Sequence, residues 1–92
     1  MSADLVRRRV VIRGNVQGVF FRDSVRRRAQ THDVAGWVCN RSDGAVEGVF
    51  EGRESDVIEL LKFCRDGPRN AAVETVEVSE EQPERLSGFA IR

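Results

Sequence analysis

Residues 14–22, with the sequence GNVQGVFFR, combine two glycines four positions apart with a closing arginine. Gly14 and Gly18 tolerate backbone conformations in which several N–H groups point into one concavity, and such a concavity binds anions. If a helix follows, its N-terminus adds a positive partial charge. The guanidinium of Arg22 can also donate two parallel hydrogen bonds to phosphate oxygens. The stretch therefore indicates a phosphate-binding loop, with an ordinary strand-to-helix turn as the alternative.

The spacing excludes two common phosphate-binding motifs. The stretch lacks the Gly-Lys-Ser/Thr ending of a P-loop, and it lacks the Gly-x-Gly start of a dinucleotide-binding turn. A chain of 92 residues is also too short to supply the two mononucleotide-binding halves of that fold. A phosphate bound here must therefore be held by a different arrangement.

Asn40 is the second candidate for chemistry, in the stretch GWVCNRSDGAVEG at residues 36–48. It follows a short predicted strand and precedes Asp43-Gly44, a pair typical of hairpin turns. A carboxamide donates and accepts hydrogen bonds at once, so Asn40 could hold a water molecule and donate to an oxyanion. The alternative is a turn asparagine that bonds its own backbone.

Hydropathy patterns predict the elements that must position these residues. β-Branched residues before Gly14 indicate a strand, and apolar residues at i, i+4 and i+7 after Arg22 indicate an amphipathic helix. A second helix is predicted to be capped by Ser55 and to end at Gly67-Pro68. The order predicts an α+β fold, a ferredoxin-like βαββαβ sandwich with two helices on one face of a four- to five-stranded, mainly antiparallel sheet. The predicted strands are 5–13, 37–39, 45–52, 73–78 and 89–91, and the first helix is 22–34.

Composition predicts one small globular domain over residues 1–92, because 40% of the residues are hydrophobic and 33% are charged. The net charge is zero, yet the first 46 residues carry nine arginines against four aspartates, so the GNVQGVFFR stretch lies in a basic half that favours an anionic ligand. Cys39 and Cys64 match no zinc or redox spacing, and free thiols of a cytoplasmic protein are expected. No signal peptide or membrane span is predicted.

Other conspicuous residues are interpreted as structural. His32 falls on the apolar stripe of the first predicted helix, Trp37 is expected in the core, and the three arginines at 26–28 are expected on a solvated surface. RNA-recognition modules share the βαββαβ order but read bases with aromatic residues on the central strands. The first predicted strand has no aromatic residue and the chain has no tyrosine, so nucleic-acid binding is not expected.

The two stretches together resemble the acylphosphatase family. GNVQGVFFR resembles the family pattern G-x-V-Q-G-V-x-F-R, and GWVCNRSDGAVEG resembles G-W-V-x-N-x-x-D-G-x-V-x-G. Their order and interval also fit, and the resemblance covers essentially the whole chain. Arg41 departs from the pattern because a small hydroxyl residue is frequent there, and the chain ends at Arg92 where many members end in an aromatic residue. Pairing of a terminal carboxylate with Arg22, which the family suggests, is therefore left open.

The resemblance implies hydrolysis of the carboxyl-phosphate bond of acyl phosphates, without a metal, another cofactor or a covalent intermediate. It implies that Arg22 and Asn40 are catalytic, Arg22 by binding phosphate oxygens and Asn40 by orienting the attacking water. A small-molecule acyl phosphate is the expected partner, inorganic phosphate or sulfate is expected to fit the same loop, and a monomer is expected. The implied phosphate-binding residues are Asn15, Val16, Gln17, Gly18, Val19, Phe20 and Arg22.

Two alternatives stay open. One is a catalytically inactive ferredoxin-like module that only binds phosphate or another anion. The other is an acylphosphatase-like domain of a larger carbamoyl-transferring enzyme of hydrogenase maturation. Those enzymes often have proline after the motif arginine, whereas this chain has Asp23, begins with methionine and ends at residue 92. A free-standing enzyme is therefore expected.

Overall fold

The computed structural model describes residues 5–92 and shows two helices packed against a five-stranded sheet. The elements are β1 (Leu5–Asn15), α1 (Phe21–Thr31), β2 (Ala35–Asn40), β3 (Val46–Arg53), α2 (Glu54–Asp66), β4 (Ala72–Glu81) and β5 (Phe89–Ile91). The sheet order is β4-β1-β3-β2-β5, and only β2 and β5 pair in parallel. The predicted ferredoxin-like α+β fold is confirmed.

The core lies between the helices and one face of the sheet. Side chains alternate between the two faces of a strand, so Val10 and Ile12 of β1 point towards the helices and are fully buried. The apolar stripes of the helices cover them, with Val25 and Ala29 from α1 and Leu60 from α2 among the fully buried residues. This one continuous core fixes where β1 ends and α1 begins, and therefore where the β1–α1 loop (residues 16–20) lies.

The opposite face of the sheet carries a row of charged side chains. Arg7, Arg9 and Arg13 alternate with the core-facing residues of β1, and carboxylates from the flanking strands surround them. We call these three side chains the arginine row. Its ion pairs are those of Arg7 with Glu81 and Glu84, Arg9 with Glu47 and Glu81, and Arg13 with Asp43 and Glu77.

Two local predictions were wrong. Ser55 does not cap α2, because the helix begins at Glu54 directly after β3 and no side chain bonds its N-terminus. Acidic residues in the first turn, among them Asp56, supply the favourable charge there instead. Trp37 is half-buried on the arginine-row face, because the pairing of β2 directs Val38 into the core. Cys39 shares that outer face and is only partly buried.

The structure requires glycine at position 14 for a different reason from the one predicted. It lies inside β1, which extends to Asn15, at an irregularity in the pairing with β4. Its φ is +132°, and a Cβ there would lie 2.2 Å from the carbonyl oxygen of Ala72. Close approach of β4, and not a turn, is what requires glycine at this position. The bend that redirects the chain comes later, at Gly18 and Phe20.

Candidate active site

The β1–α1 loop is shaped by two residues in left-handed backbone conformations. Gly18 has φ +76°, which glycine adopts at little cost. Phe20 has φ 61° and ψ 26°, a conformation that costs an aromatic residue roughly 1–2 kcal/mol. Phe20 occupies the N-cap position of α1, and its ring is 79% exposed. The loop thus turns sharply enough for its backbone to line a concave surface.

Backbone N–H groups of this segment are free to bind a ligand. The first hydrogen bond of α1 joins the N–H of Ser24 to the carbonyl of Phe20 at 3.0 Å, and no side chain caps the helix. Within residues 5–92, the N–H groups of residues 17–23 donate to no other protein group. Free N–H groups at a helix N-terminus can bind phosphate.

The side chain of Gln17 holds the loop against the β2–β3 hairpin. Its Nε2 donates to the carbonyl oxygens of Arg41 at 2.8 Å and Ala45 at 2.9 Å. Both acceptors flank the hairpin turn that follows Asn40, so this one amide fixes the loop relative to Asn40. Sequence reasoning assigned Gln17 only a backbone role, because nothing in one sequence shows what its amide contacts.

Arg22 and Asn40, the two residues expected to be catalytic, line the same cavity. The cavity has a volume of about 240 Å³, and the β1–α1 loop, α1, β2 and β5 all contribute to its wall. The lining residues are Val16, Gly18, Phe20, Phe21, Arg22, Asp23, Asn40 and Ile91.

The remaining predicted phosphate-binding residues lie outside this lining. Asn15 is exposed at the end of β1 and pairs with Ala72, and Val19 packs against the core. Gln17 reaches the hairpin and not the cavity. Ile91, by contrast, was missed, because only the pairing of β5 with β2 brings it close to Asn40.

Arg22 differs from the other half-buried arginines of residues 5–92 in its surroundings. It is half-buried and forms no ion pair with any of residues 5–92. The adjacent Asp23 is held instead by Arg27 at 2.6 Å and Arg26 at 2.9 Å, and these hydrogen bonds lower the pKa of its carboxyl. The guanidinium of Arg22 therefore keeps its hydrogen-bonding capacity for a ligand.

A larger cavity, of about 530 Å³, lies away from Arg22 and Asn40. Glu51, which is only 2% exposed, lines it. Its carboxylate already accepts hydrogen bonds from the backbone N–H groups of Glu84, Arg85 and Leu86. The buried carboxylate disfavours a bound phosphate in this cavity, so we place the candidate active site at Arg22.

Two other kinds of functional feature are absent from residues 5–92. No three His, Cys, Asp or Glu side chains there converge to form a metal-binding group. No helix in that part of the chain has the length and apolar character needed to cross a membrane.

Comparison with known proteins agrees with this geometry. The family model described as Acylphosphatase matches residues 8–91. The chain is 53% identical over 85 residues to an acylphosphatase of Rubrobacter xylanophilus, covering 91% of this chain and 77% of that one. It is 48% identical over 86 residues to an acylphosphatase of Haloarcula marismortui, covering 94% of each.

Solved structures lead to the same family. An acylphosphatase from Coxiella burnetii superposes with a TM-score of 0.93 at 39% identity, covering 97% of this chain and 94% of that one. Full-length HypF matches with a TM-score of 0.89 at 28% identity, over 96% of this chain but only 12% of HypF. The chain belongs to the acylphosphatase family.

Proposed function

We propose that this chain hydrolyses acyl phosphates to a carboxylate and inorganic phosphate in the cavity of Arg22 and Asn40. One observation carries the proposal: an arginine without an ion pair lines the same cavity as a run of free backbone N–H groups. Membership of the acylphosphatase family supports the reaction. An acyl phosphate already contains a good leaving group, so binding and positioning supply most of the catalysis.

The phosphoryl group is held by the β1–α1 loop and Arg22. The free N–H groups of residues 17–23 donate to its oxygens, and the guanidinium of Arg22 donates two parallel hydrogen bonds. These donors are fixed before the substrate arrives, because Gln17 ties the loop to the hairpin. They stabilise the charge that builds up on the equatorial phosphate oxygens in the transition state.

Asn40 orients the water. It is exposed at the end of β2, and its side-chain amide bonds no other group within residues 5–92. Its amide can therefore hold a water molecule beside the phosphoryl group. The water oxygen attacks phosphorus, the bond from phosphorus to the carboxyl oxygen breaks, and the carboxylate departs.

The proton of the attacking water passes to an oxygen of the substrate phosphate in this proposal. Asp23 is the carboxylate of the cavity wall, but its hydrogen bonds from Arg27 and Arg26 lower its pKa and make it a poor base. Asp43 bonds the N–H of Ala45 and also has a lowered pKa. A pH–rate profile that requires an enzyme carboxylate as base would refute this step.

The test is hydrolysis of benzoyl phosphate. Arg22→Ala and Asn40→Ala should each lower kcat/KM by roughly 10²–10³-fold, the effect of losing one preorganised donor. Arg69→Ala is the matched control, because Arg69 is exposed and forms no ion pair within residues 5–92. It should keep the wild-type rate. EDTA should not change the rate of any of these proteins.

Three outcomes would overturn the proposal. Binding of inorganic phosphate by wild-type protein without hydrolysis of benzoyl phosphate would favour the inactive anion-binding module. Full activity and unchanged phosphate affinity in Arg22→Ala would remove Arg22 from the site. Inhibition by EDTA would indicate a metal-dependent reaction.

We also propose that residues 1–92 form a single domain that works as a monomer in the cytoplasm. The one continuous core supports the domain assignment. Cys39 and Cys64 are both free thiols, as expected in a reducing compartment. Light scattering tests the monomer, and a stable dimer at micromolar concentration would contradict it.

A further inference from the structure

Exposed apolar side chains are concentrated at the mouth of the candidate active site. Four large hydrophobic residues of the described chain are exposed: Phe20, Ile58, Val78 and Ile91. Phe20 and Ile91, which are 79% and 37% exposed, both line the cavity that contains Arg22. Ile58 and Val78 lie on α2 and β4 and line no part of that cavity.

Folding gives no reason for an exposed aromatic side chain at position 20. Its ring lies outside the core, and its left-handed backbone would be adopted more easily by glycine or asparagine. The ring nevertheless stands beside the free N–H groups of the loop, at the point where a bound phosphoryl group would lie. An aromatic face in this place can contact whatever is attached to the phosphate.

Ile91 is held firmly on the other side of the mouth. Its strand pairs with β2, with Ile91 opposite Val38, two residues before Asn40. The next residue, Arg92, donates its backbone N–H to the carbonyl of Val38 at 2.9 Å and stacks its guanidinium 4.5 Å from the Trp37 ring centroid. These contacts fix Ile91 on a short strand that would otherwise be loosely attached.

The charges of the wall exclude one class of acyl group. Among residues 5–92, Arg22 is the only basic side chain that lines the cavity, and it binds the phosphate in the proposed function. Asp23 is the only acidic lining residue in the same part of the chain, and it would repel a second carboxylate on the substrate. An acyl group with a carboxylate of its own would therefore find no partner here.

We infer that Phe20 and Ile91 form a subsite for the acyl group, and that the substrates are acyl phosphates with apolar or aromatic acyl groups. The inference rests on the proposed function, since it assumes that Arg22 and the loop hold the phosphate. The acyl group of the bound substrate then lies at the mouth of the cavity, between the Phe20 ring and the Ile91 side chain, where its apolar surface is removed from water.

The test compares benzoyl phosphate with acetyl phosphate. Ile91→Ala and Phe20→Ala should each lower the ratio of kcat/KM for benzoyl over acetyl phosphate by roughly tenfold, as losing apolar contact in a pocket does. Ile58→Ala and Val78→Ala remove matched exposed side chains outside the cavity and should leave the ratio unchanged. Phe20→Asn, which suits the left-handed backbone, should repeat the effect of Phe20→Ala if that variant folds poorly.

The possible failures are distinguishable. If wild-type protein hydrolyses neither substrate, the proposed function fails. If wild-type protein hydrolyses both and the ratio stays constant in the Ile91 and Phe20 variants, the acyl subsite is wrong and the proposed function stands. An equal loss in the Ile58 or Val78 variants would also overturn the subsite, because the effect would then reflect general destabilisation.

Discussion

Arginines in two regions of this molecule have opposite surroundings. In the arginine row each guanidinium lies near carboxylates of the neighbouring strands, with Arg7 2.8 Å and Arg9 2.6 Å from Glu81. At the N-terminus of α1, Arg22 forms no ion pair with any of residues 5–92. Free backbone N–H groups of the loop and first helical turn line the same cavity, and the adjacent Asp23 is paired with Arg26 and Arg27.

The difference separates structural arginines from a ligand-binding one. A guanidinium already bonded to carboxylates within the fold has little capacity left for an anion, whereas an unpaired one is available. Residue type alone could not make this distinction, because Arg9 and Arg22 are chemically identical. The strand register sets the positions of the acidic residues, and these positions distinguish the two arginines.

The largest expected effect comes from giving Arg22 a carboxylate partner. Asn40→Asp places an acid in the same cavity, so Arg22 would resemble the arginine row and the incoming phosphate would be repelled. We expect kcat/KM for benzoyl phosphate to fall by roughly 10²–10³-fold, without loss of thermal stability. Ser42→Asp, on the exposed turn nearby, is the control. Wild-type activity in Asn40→Asp would contradict the comparison.

Removing an arginine of the row should lower the stability of the protein and leave its activity unchanged. Arg7 is 5% exposed and its Nε bonds Glu81, so Arg7→Ala leaves that carboxylate with one partner fewer and a cavity in the sheet. We expect the free energy of unfolding in urea to fall by about 2 kcal/mol. Once folded, the variant should keep its kcat. A loss of activity at unchanged stability would show that the two regions are not separate.

Gln17 tests the connection between the loop and the hairpin. Gln17→Ala removes both hydrogen bonds to the hairpin carbonyls, and kcat/KM should fall roughly tenfold because the N–H groups lose their fixed position. Gln17→Glu keeps the shape but lacks the N–H donor, and should be no better. Recovery of activity in the glutamate variant would show that packing, and not donation, holds the loop.

The smallest effect concerns the pH dependence of the stability that the arginine row contributes. Hydrogen bonds from Arg9 and Arg7 lower the pKa of Glu81 from its ordinary 4.5, so the folded state favours the ionised carboxylate. This contribution is present above pH 4.5 and disappears as the pH falls through the lowered value. Glu81→Gln should flatten the acid side of the stability curve, measured as Tm against pH. Arg22→Ala should leave that curve unchanged.

Much of the fold could be predicted because local patterns determine it. The apolar stripes of both helices and the β-branched run before Gly14 gave the correct order of elements. The cap at Ser55 and the burial of Trp37 were wrong because they depend on tertiary pairing. Ser55 lies inside a helix that follows β3 without a gap, and the β2 register turns Trp37 outward.

The candidate site, too, could be predicted only in part from the sequence. The motifs indicated Arg22 and Asn40, and the fold brings them to one cavity. The Gln17 hydrogen bonds and the position of Ile91 involve residues far apart in the chain, and no local signal reports such contacts. Arg22 is free for a ligand because the nearby carboxylates form ion pairs with other arginines. Only the folded structure shows these ion pairs.

The central claim is that the free N–H groups of residues 17–23 and Arg22 bind one phosphate. Titration of isotope-labelled protein with inorganic phosphate, followed by amide NMR shifts, tests it most directly. We predict saturable shifts that are largest at residues 17–23 in wild-type protein and lost in Arg22→Ala. Shifts centred on the cavity around Glu51, or an unchanged titration in Arg22→Ala, would contradict the account.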